Sequence, residues 1–201
     1  MMTKSKSRIW HPFTQHALQG EMTRIVRGDG PYLYTSNECR IIDAISSWWV
    51  VTHGHCHPRI VGAIQEQVSR LNQIIFAGYT HEPAEQVASL LLKVTPPGLD
   101  YVFFSDSGST SVEVALKMAL GYWHNTGKQR TRIVVMQHSY HGDTVGGMSV
   151  GERGVFSAAY GPLLFDVTSV PFPACGLEQA TFDAATIRAL QTSVEPEPSQ
   201  H

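Results

Sequence analysis

The stretch Ser105–Ser111, which reads Ser-Asp-Ser-Gly-Ser-Thr-Ser, lies between an apolar run and the pattern of an amphipathic helix. The run before it, Tyr101–Phe104, predicts a strand, and apolar residues recur at helical spacing from Val112 to Trp123. Where a strand opens directly into a helix, several backbone N–H groups lack a partner within the helix, and the positive end of the helix dipole lies beside them. This arrangement suits a bound phosphate.

A simpler interpretation is that Ser107 or Ser109 only caps the helix, because small hydroxyl residues are common at that position. The stretch is not a Walker loop, since no Gly-Lys-Ser/Thr follows it, and it lacks the spaced glycines of a dinucleotide-binding turn. The stretch by itself therefore leaves two alternatives open, a phosphate site and a plain helix cap.

Three further motifs stand around this stretch. Ile9–Gln15 reads Ile-Trp-His-Pro-Phe-Thr-Gln, Asp43–Trp49 reads Asp-Ala-Ile-Ser-Ser-Trp-Trp and leads into His53–Pro58, and Ser139–Thr144 reads Ser-Tyr-His-Gly-Asp-Thr. Together with the Ser-Gly-Ser stretch and in this order, the motifs resemble the N-terminal part of the class III, fold type I aminotransferases, which depend on pyridoxal 5′-phosphate. The resemblance runs from about residue 8 to about residue 165.

The resemblance implies three cofactor-binding residues. Gly108 and Ser109 match the site that holds the cofactor 5′-phosphate in the class, where backbone N–H groups and a hydroxyl bind the dianion at a helix start. Tyr140 matches the aromatic residue that stacks on the pyridine ring, because a flat apolar face holds a flat electron sink in one orientation. The alternative for Tyr140 is an ordinary core tyrosine at the end of a strand.

The resemblance also implies that Phe13, Trp48 and Tyr140 bind substrate. The opening motif and the tryptophan pair resemble the biotin-synthesis branch of the class, which moves an amino group from S-adenosylmethionine to 8-amino-7-oxononanoate and gives 7,8-diaminononanoate. Trp49 also matches a substrate-pocket aromatic, although Trp48 is the stronger match. Two adjacent tryptophans point opposite ways in an extended segment and obliquely in a helix, so we expect one to face the pocket and the other the protein packing. Many members carry tyrosine where Phe13 stands, so its ring can line the pocket but the hydroxyl contact to substrate is missing.

Transamination needs a lysine that forms a Schiff base with the cofactor and an acidic partner for the pyridine nitrogen. In the class, both lie well after the residue that matches Tyr140. No lysine here stands in a matching segment, so we expect a truncated aminotransferase that is inactive alone. A non-catalytic remnant and a fragment of another class III ω-aminotransferase are the alternatives. The lysines are Lys4, Lys6, Lys93, Lys117 and Lys128.

Composition indicates no other class of partner. The 15 Lys+Arg and 17 Asp+Glu are scattered, which argues against nucleic-acid binding. No apolar run reaches the roughly 18 residues of a membrane span, and the N-terminus lacks the apolar core of a signal peptide. We therefore expect a cytoplasmic chain whose full-length relatives form homodimers across the active site, as the resemblance implies.

Metal binding is not expected. The three cysteines show no Cys-x-x-Cys spacing, so neither a disulfide framework nor a zinc site is indicated. His53, His55 and His57 alternate, which would place their imidazoles on one face of an extended strand. Gly54 and Pro58, however, indicate a turn, and no fourth ligand cluster is evident nearby.

The order of predicted elements indicates an α/β chain. A hairpin over 30–34 and 40–43 is followed by helices that begin near Pro58 and Pro83, the strand at 101–104, the phosphate helix with an outward Glu113–Lys117 ion pair, and a strand at 132–136. Alternating helices and strands imply a parallel sheet with crossover helices, in which ligands bind at the carboxyl ends of strands. Gly108 and Tyr140 both follow such ends, so we expect one shared site.

The predicted fold is an incomplete fold type I pyridoxal-phosphate transferase. Residues 1–58 are expected to form the N-terminal arm and hairpin of the small domain, residues 59–190 an incomplete cofactor-binding large domain, and residues 191–201 a disordered tail. The glycines between residues 142 and 154 predict a flexible or tightly turned stretch, and residues 181–190 a short last helix.

Overall fold

The computed structural model describes residues 7–18, 20–174, 176, 184, 187, 188 and 191 of the chain. Contacts divide the chain into two compact units, Met1–Val87 and Ala88–His201. The division at residue 58 stays a prediction about the subdomains of the class. Most of the predicted last helix and nearly all of the predicted tail lie outside the described residues. The positions 184, 187, 188 and 191 are helical.

The first unit contains a three-stranded antiparallel sheet in the order β1-β2-β3. The strands are β1 (Ile25–Asp29), β2 (Tyr32–Thr35) and β3 (Arg40–Ile42), so the predicted hairpin is confirmed by β2 and β3. Leu33 is paired with Gly28 on one side and with Ile41 on the other. Strand β1 was not predicted, because glycine and aspartate within it weaken the strand signal.

A single turn, α1 (Ser46–Trp49), follows the sheet and carries the tryptophan pair. Its φ angles are 50° at Ser46, 47° at Ser47, 66° at Trp48 and 71° at Trp49, so the turn is left-handed. The sequence left extended and helical conformations open, and the structure has neither an extended strand nor a right-handed helix here. The backbone at this point therefore adopts a conformation that residues with a Cβ atom usually avoid.

Two amphipathic helices come next, α2 (Pro58–Arg70) and α3 (Glu82–Leu92). Both confirm the helices predicted from apolar spacing, and Pro58 stands at the first turn of α2, where a missing N–H has no cost. Neither helix contains a buried residue. Their apolar faces are thus open to solvent in this chain.

The second unit contains α4 (Gly108–Asn125), β4 (Val134–Met136), α5 (Val145–Val150) and β5 (Thr168–Val170). Strands β4 and β5 are parallel, which confirms the α/β fold with a parallel pair and, with shorter bounds, the predicted strand at 132–136. The strand predicted at 101–104 is wrong, because the structure has no strand at these positions and the run belongs to neither described sheet.

The glycine-rich stretch after β4 contains a buried helix, so the prediction of a flexible or turned stretch is wrong for α5. Gly146, Gly147, Ser149 and Val150 of this helix are buried. A Cβ atom at Gly146 would lie 2.4 Å from a carboxylate oxygen of Glu113 on α4. The glycines therefore serve close packing of α5 against α4 rather than flexibility.

Candidate cofactor and substrate site

The start of α4 is closed by a reciprocal cap. Ser107 Oγ accepts the Thr110 N–H at 3.1 Å, and Thr110 Oγ1 accepts the Ser107 N–H at 2.9 Å. The helix-cap interpretation is therefore right for Ser107. Within the described part of the chain, the N–H groups of Gly108 and Ser109 have no hydrogen-bond partner. The first turn of an 18-residue helix thus presents two free donors at its positive end.

The side chain of Ser109 points to a different partner from its backbone. Its Oγ accepts the Thr144 N–H at 3.0 Å and lies 2.7 Å from Thr144 Oγ1. The predicted contact between this hydroxyl and a phosphate stays a prediction, and the structure gives the hydroxyl a second task. It fixes the residue that caps α5 to the start of α4.

Gly142 brings the loop between β4 and α5 onto the start of α4. Its φ is +108°, and a Cβ atom there would lie 2.3 Å from Ser109 Oγ and 2.8 Å from Ser109 Cα. Only glycine allows both this conformation and this approach. Since Tyr140 lies two residues earlier in the same loop, the structure brings the predicted ring-stacking residue and the predicted phosphate residues into one region of the second unit.

Tyr140 has an exposed ring and a held hydroxyl. Its side chain is 75% exposed, so Tyr140 is not a core residue in the described part of this chain. The hydroxyl donates to Asp143 Oδ2 at 3.0 Å, and this hydrogen bond with the carboxylate raises the pKa of Tyr140 above its ordinary value. The hydrogen bond thus holds the hydroxyl end of the ring and leaves the face of the ring open, as a stacking role requires.

Glu113 of α4 is a site residue that the sequence interpretation missed. Its Oε1 accepts the Gly146 N–H at 2.5 Å, and hydrogen bonds from the Thr144 hydroxyl and from the first amides of α5 lower its pKa. The predicted ion pair with Lys117 is wrong, because Glu113 instead faces the N-terminal amides of α5. Its spacing of four residues from Ser109 places the two side chains on one helix face, and that spacing was the available signal.

The donors in the second unit fit the phosphate and ring of the cofactor. Two free amides at a helix start match a dianion, and the exposed ring of Tyr140 matches a flat aromatic group. A Cβ atom at Gly108 would have no heavy atom within 4 Å, so the space beside the two amides is open. The residues present can thus hold pyridoxal 5′-phosphate by its phosphate and its ring.

Two predicted substrate residues meet in the first unit. The rings of Phe13 and Trp48 are stacked, with centroids 5.8 Å apart and planes at 25°. Both are exposed, Phe13 by 88% and Trp48 by 69%. Trp49 is 83% exposed as well, so the expectation that one of the two tryptophans packs inside the protein is wrong for this chain. The left-handed turn directs both tryptophans outward.

Asp43 organises this turn, and it too was missed as a site residue. It contacts Ser47 and His55, and its side chain is only 6% exposed. Hydrogen bonds from the Ser47 amide and hydroxyl, followed by that from His55, lower the pKa of Asp43 to about 2. An aspartate four residues before a serine is a local capping signal that could have found it.

His55 had been considered as a metal ligand with His53 and His57. In the structure His55 instead bonds to Asp43, with Nε2 2.8 Å from Oδ2. The described residues contain no group of three or more His, Cys, Asp or Glu side chains that could hold a metal ion. In the same part of the chain, no helix combines the length and the apolar character of a membrane span.

The described lysines are Lys93, Lys117 and Lys128. Lys117 lies on α4 eight residues after Ser109, which corresponds to about 12 Å along the axis. Lys128 lies 5.7 Å from the Trp123 ring, and Lys93 directly follows α3. None of these three makes a hydrogen bond or ion pair with Gly108, Ser109 or Tyr140.

Residues 15–197 match the family model of the class III aminotransferases. The chain therefore belongs to the class III aminotransferase family, whose members depend on pyridoxal phosphate. The α/β architecture and the donors at the start of α4 agree with that membership.

Two relatives with the same name are similar to most of this chain. The chain is 48% identical over 186 residues to the adenosylmethionine-8-amino-7-oxononanoate aminotransferase of Synechococcus elongatus. The matched region covers 92% of this chain and 44% of the relative. The enzyme of the same name from Geobacter sulfurreducens is 40% identical and covers 85% of this chain and 38% of the relative. The chain thus spans less than half the length of these relatives.

Solved structures give the same result for the fold. The adenosylmethionine-8-amino-7-oxononanoate aminotransferase of Methanocaldococcus jannaschii aligns with a TM-score of 0.78 and 35% identity, over 86% of this chain and 40% of that one. A PLP-bound amine transaminase from an uncultivated Pseudomonas species aligns with a TM-score of 0.74 and 29% identity, over 95% and 46%. The predicted partial fold type I architecture is confirmed.

Proposed function

We propose that the chain provides the phosphate-binding start and part of the substrate surface of an aminotransferase of biotin synthesis. The reaction moves an amino group from S-adenosylmethionine to 8-amino-7-oxononanoate and gives 7,8-diaminononanoate. The observation that carries the proposal is the pair of free amides at Gly108 and Ser109, beside the loop of Tyr140. The relatives at 48% and 40% identity favour this branch of the class.

Each site residue has a distinct task. The N–H groups of Gly108 and Ser109 bind the phosphate dianion, with the dipole of α4 adding to the attraction. Tyr140 holds the cofactor ring by stacking and also borders the substrate, while the open faces of the stacked Phe13 and Trp48 rings bind the apolar part of the substrate. When bound, pyridoxal 5′-phosphate supplies an electron sink for the substrate carbon that loses its proton.

The remaining parts of the site come from outside these 201 residues. They are the lysine that moves the proton and the acidic partner of the pyridine nitrogen. The complete enzyme is a cytoplasmic homodimer in this proposal, as the family resemblance implies.

A joined enzyme tests the proposal. It consists of this chain through Leu190 followed by the remaining length of the Synechococcus relative. We expect it to bind pyridoxal 5′-phosphate and to form 7,8-diaminononanoate from the two named substrates. Cofactor binding together with use of simple ω-amines, and no use of S-adenosylmethionine, would instead support another class III ω-aminotransferase.

Two substitutions at Gly108 test the phosphate contact itself. Gly108→Pro deletes the N–H donor while proline remains compatible with the first helical position and with the extended conformation of Ser107. Gly108→Ala keeps the donor and adds a Cβ atom into open space. We expect cofactor affinity to fall by about 2 kcal/mol in the proline variant, as for a hydrogen bond to a charged group, and to stay unchanged in the alanine variant. Equal affinities would overturn the assignment.

The positions of the described lysines favour a second function for the chain alone, that of a non-catalytic protein that can bind the cofactor but not react with it. Borohydride trapping with pyridoxal 5′-phosphate, followed by peptide mapping, separates the two states. We expect no single lysine of the 201-residue chain to be labelled stoichiometrically. Stoichiometric labelling of one lysine would show that the chain contains its own reactive residue.

A further inference from the structure

The turn α1 combines four consecutive residues with positive φ, and none of them is glycine. For residues with a Cβ atom this conformation is unfavourable, because Cβ approaches the following carbonyl oxygen. A run of such residues persists only when its surroundings hold it in place. The contacts of the turn therefore identify what sets its shape.

Asp43 makes those contacts. Its Oδ1 accepts the Ser47 N–H at 2.9 Å, and its Oδ2 accepts the Ser47 hydroxyl at 2.7 Å. One carboxylate thus holds both the backbone and the side chain of the second residue of the turn. The backbone of Asp43 is fixed in turn to the loop between β1 and β2, because its N–H donates to the Pro31 carbonyl at 2.9 Å.

His55 supports the carboxylate from the other side. Its backbone is paired with Gly30 through hydrogen bonds of 2.7 and 3.1 Å, and its Nε2 lies 2.8 Å from Asp43 Oδ2. Gly28 makes room for the imidazole, since a Cβ atom there would lie 2.8 Å from His55 Cβ and Cγ. The loop between β1 and β2 therefore positions His55, His55 positions Asp43, and Asp43 positions the turn.

The next residue in the turn is Trp48, whose ring stacks on Phe13 with an open outer face. We infer that Asp43, supported by His55, is a positioning residue that determines where the Trp48 ring meets the substrate. The inference rests on the proposed function for the identity of the ligand. It does not depend on it for the geometry, since every contact lies within Met1–Val87.

The first experiment measures the turn without any activity. In the 201-residue chain, Trp10, Trp49 and Trp123 are changed to Phe, so that Trp48 is the only tryptophan. We expect Asp43→Ala to increase the fast local component of the Trp48 fluorescence anisotropy decay. The matched control is Asp29→Ala on β1, where the carboxylate is 73% exposed, and it should leave the decay unchanged. Equal decays in the single-tryptophan chain without further change, in its Asp43→Ala variant and in its Asp29→Ala variant would overturn the inference.

A rescue variant separates positioning from charge. Glycine adopts positive φ without the Cβ penalty, so Asp43→Ala/Ser47→Gly should recover part of the anisotropy that Asp43→Ala loses. If Asp43 acted only through its charge, or only by holding His55, the glycine would restore nothing, and the inference would be wrong.

The second experiment uses the same variants in the joined enzyme. We expect Asp43→Ala to raise KM for substrate about tenfold while kcat stays within about twofold, which is the pattern of lost ground-state binding. Cofactor absorbance should not change. An unchanged KM, or an equal rise in Asp29→Ala, would contradict the positioning role. An unsubstituted joined enzyme without aminotransferase activity would refute the proposed function instead, and the anisotropy result would still decide the role of Asp43.

Discussion

The turn α1 in Met1–Val87 and the start of α4 in Ala88–His201 are held by the same kind of contact, with different results. In each, a carboxylate accepts a backbone N–H, Asp43 from Ser47 and Glu113 from Gly146. Asp43 holds four residues in a left-handed turn that the chain would not adopt by itself. Glu113 ties together two regular helices that glycines allow to approach.

The two regions differ in which groups they expose to solvent. At the turn, side chains face outward, so the proposed substrate contact depends on keeping an unfavourable backbone in place. At the helix start, backbone N–H groups face outward, so the proposed phosphate contact depends on regular helix geometry. The first region should therefore be sensitive to loss of a side-chain contact, and the second to any added atom that separates α4 from α5.

The largest expected effect is from Gly142→Ala. The added Cβ atom would lie 2.3 Å from Ser109 Oγ and 2.8 Å from Ser109 Cα, at a φ of +108°. We expect the joined enzyme to lose about 3 kcal/mol of stability, the upper range for overpacking, together with cofactor binding. Urea unfolding measures the first and cofactor absorbance the second. As a control, Gly121→Ala on α4 has no neighbour within 4 Å and should stabilise by up to about 1 kcal/mol. A Gly142→Ala variant that unfolds like wild type would refute the close approach.

Glu113→Ala should be next in size. It leaves the Gly146 N–H without its acceptor, which costs about 2 kcal/mol for a buried donor. Glu113→Gln retains an acceptor oxygen and should lose less. Lys117→Ala should have almost no effect, since Lys117 does not pair with Glu113. If Lys117→Ala destabilised the joined enzyme as much as Glu113→Ala, the outward ion pair would exist after all.

Two aromatic substitutions should separate the regions by function. Tyr140→Ala should weaken cofactor retention by about 1 kcal/mol or more, the range of an aromatic stacking contact beyond burial. Trp48→Ala should leave the cofactor in place and impair substrate use. Dialysis followed by absorbance measures cofactor loss, and initial rates measure substrate use. Equal cofactor loss from both substitutions would indicate a general folding defect, and wild-type behaviour of both would remove the site assignment.

The smallest expected effect is a dependence on pH at the turn. The pKa of Asp43 is lowered from 3.8 to about 2, so its ionised form is stabilised in the folded chain. Its contribution is therefore complete above about pH 4 and is lost as the pH falls through about 2. The difference in unfolding free energy between wild type and Asp43→Asn should be constant from pH 6 to about pH 4 and then shrink. A difference that shrinks between about pH 6 and pH 5 would assign the effect to another group.

Sequence periodicity was sufficient for the regular elements. Helices α2, α3 and α4 and the hairpin of β2 and β3 follow from apolar spacing and turn residues, because these signals are local. Periodicity failed at 101–104, where an apolar run has no described neighbouring strand, and at α5, where glycines serve packing. In both places the outcome depends on a partner far along the chain.

The site was predictable where chemistry is concentrated in a motif. Gly108, Ser109, Tyr140, Phe13 and Trp48 all came from the resemblance to the family, and their roles stay predictions. Asp43 and Glu113 did not, because their importance lies in the amides that they contact. A carboxylate in a sequence does not reveal which N–H group it will meet.

The sequence by itself determined the family, the order of the main helices and strands, and the residue types offered to cofactor and substrate. These depend on spacing and on motifs that short stretches carry. Only the tertiary structure decided that Thr144 meets Ser109 across 35 residues and that His55 meets Asp43 across 12. Such contacts form when folding brings distant segments together, so no local pattern specifies them, yet they hold the strained turn and the helix start in shape.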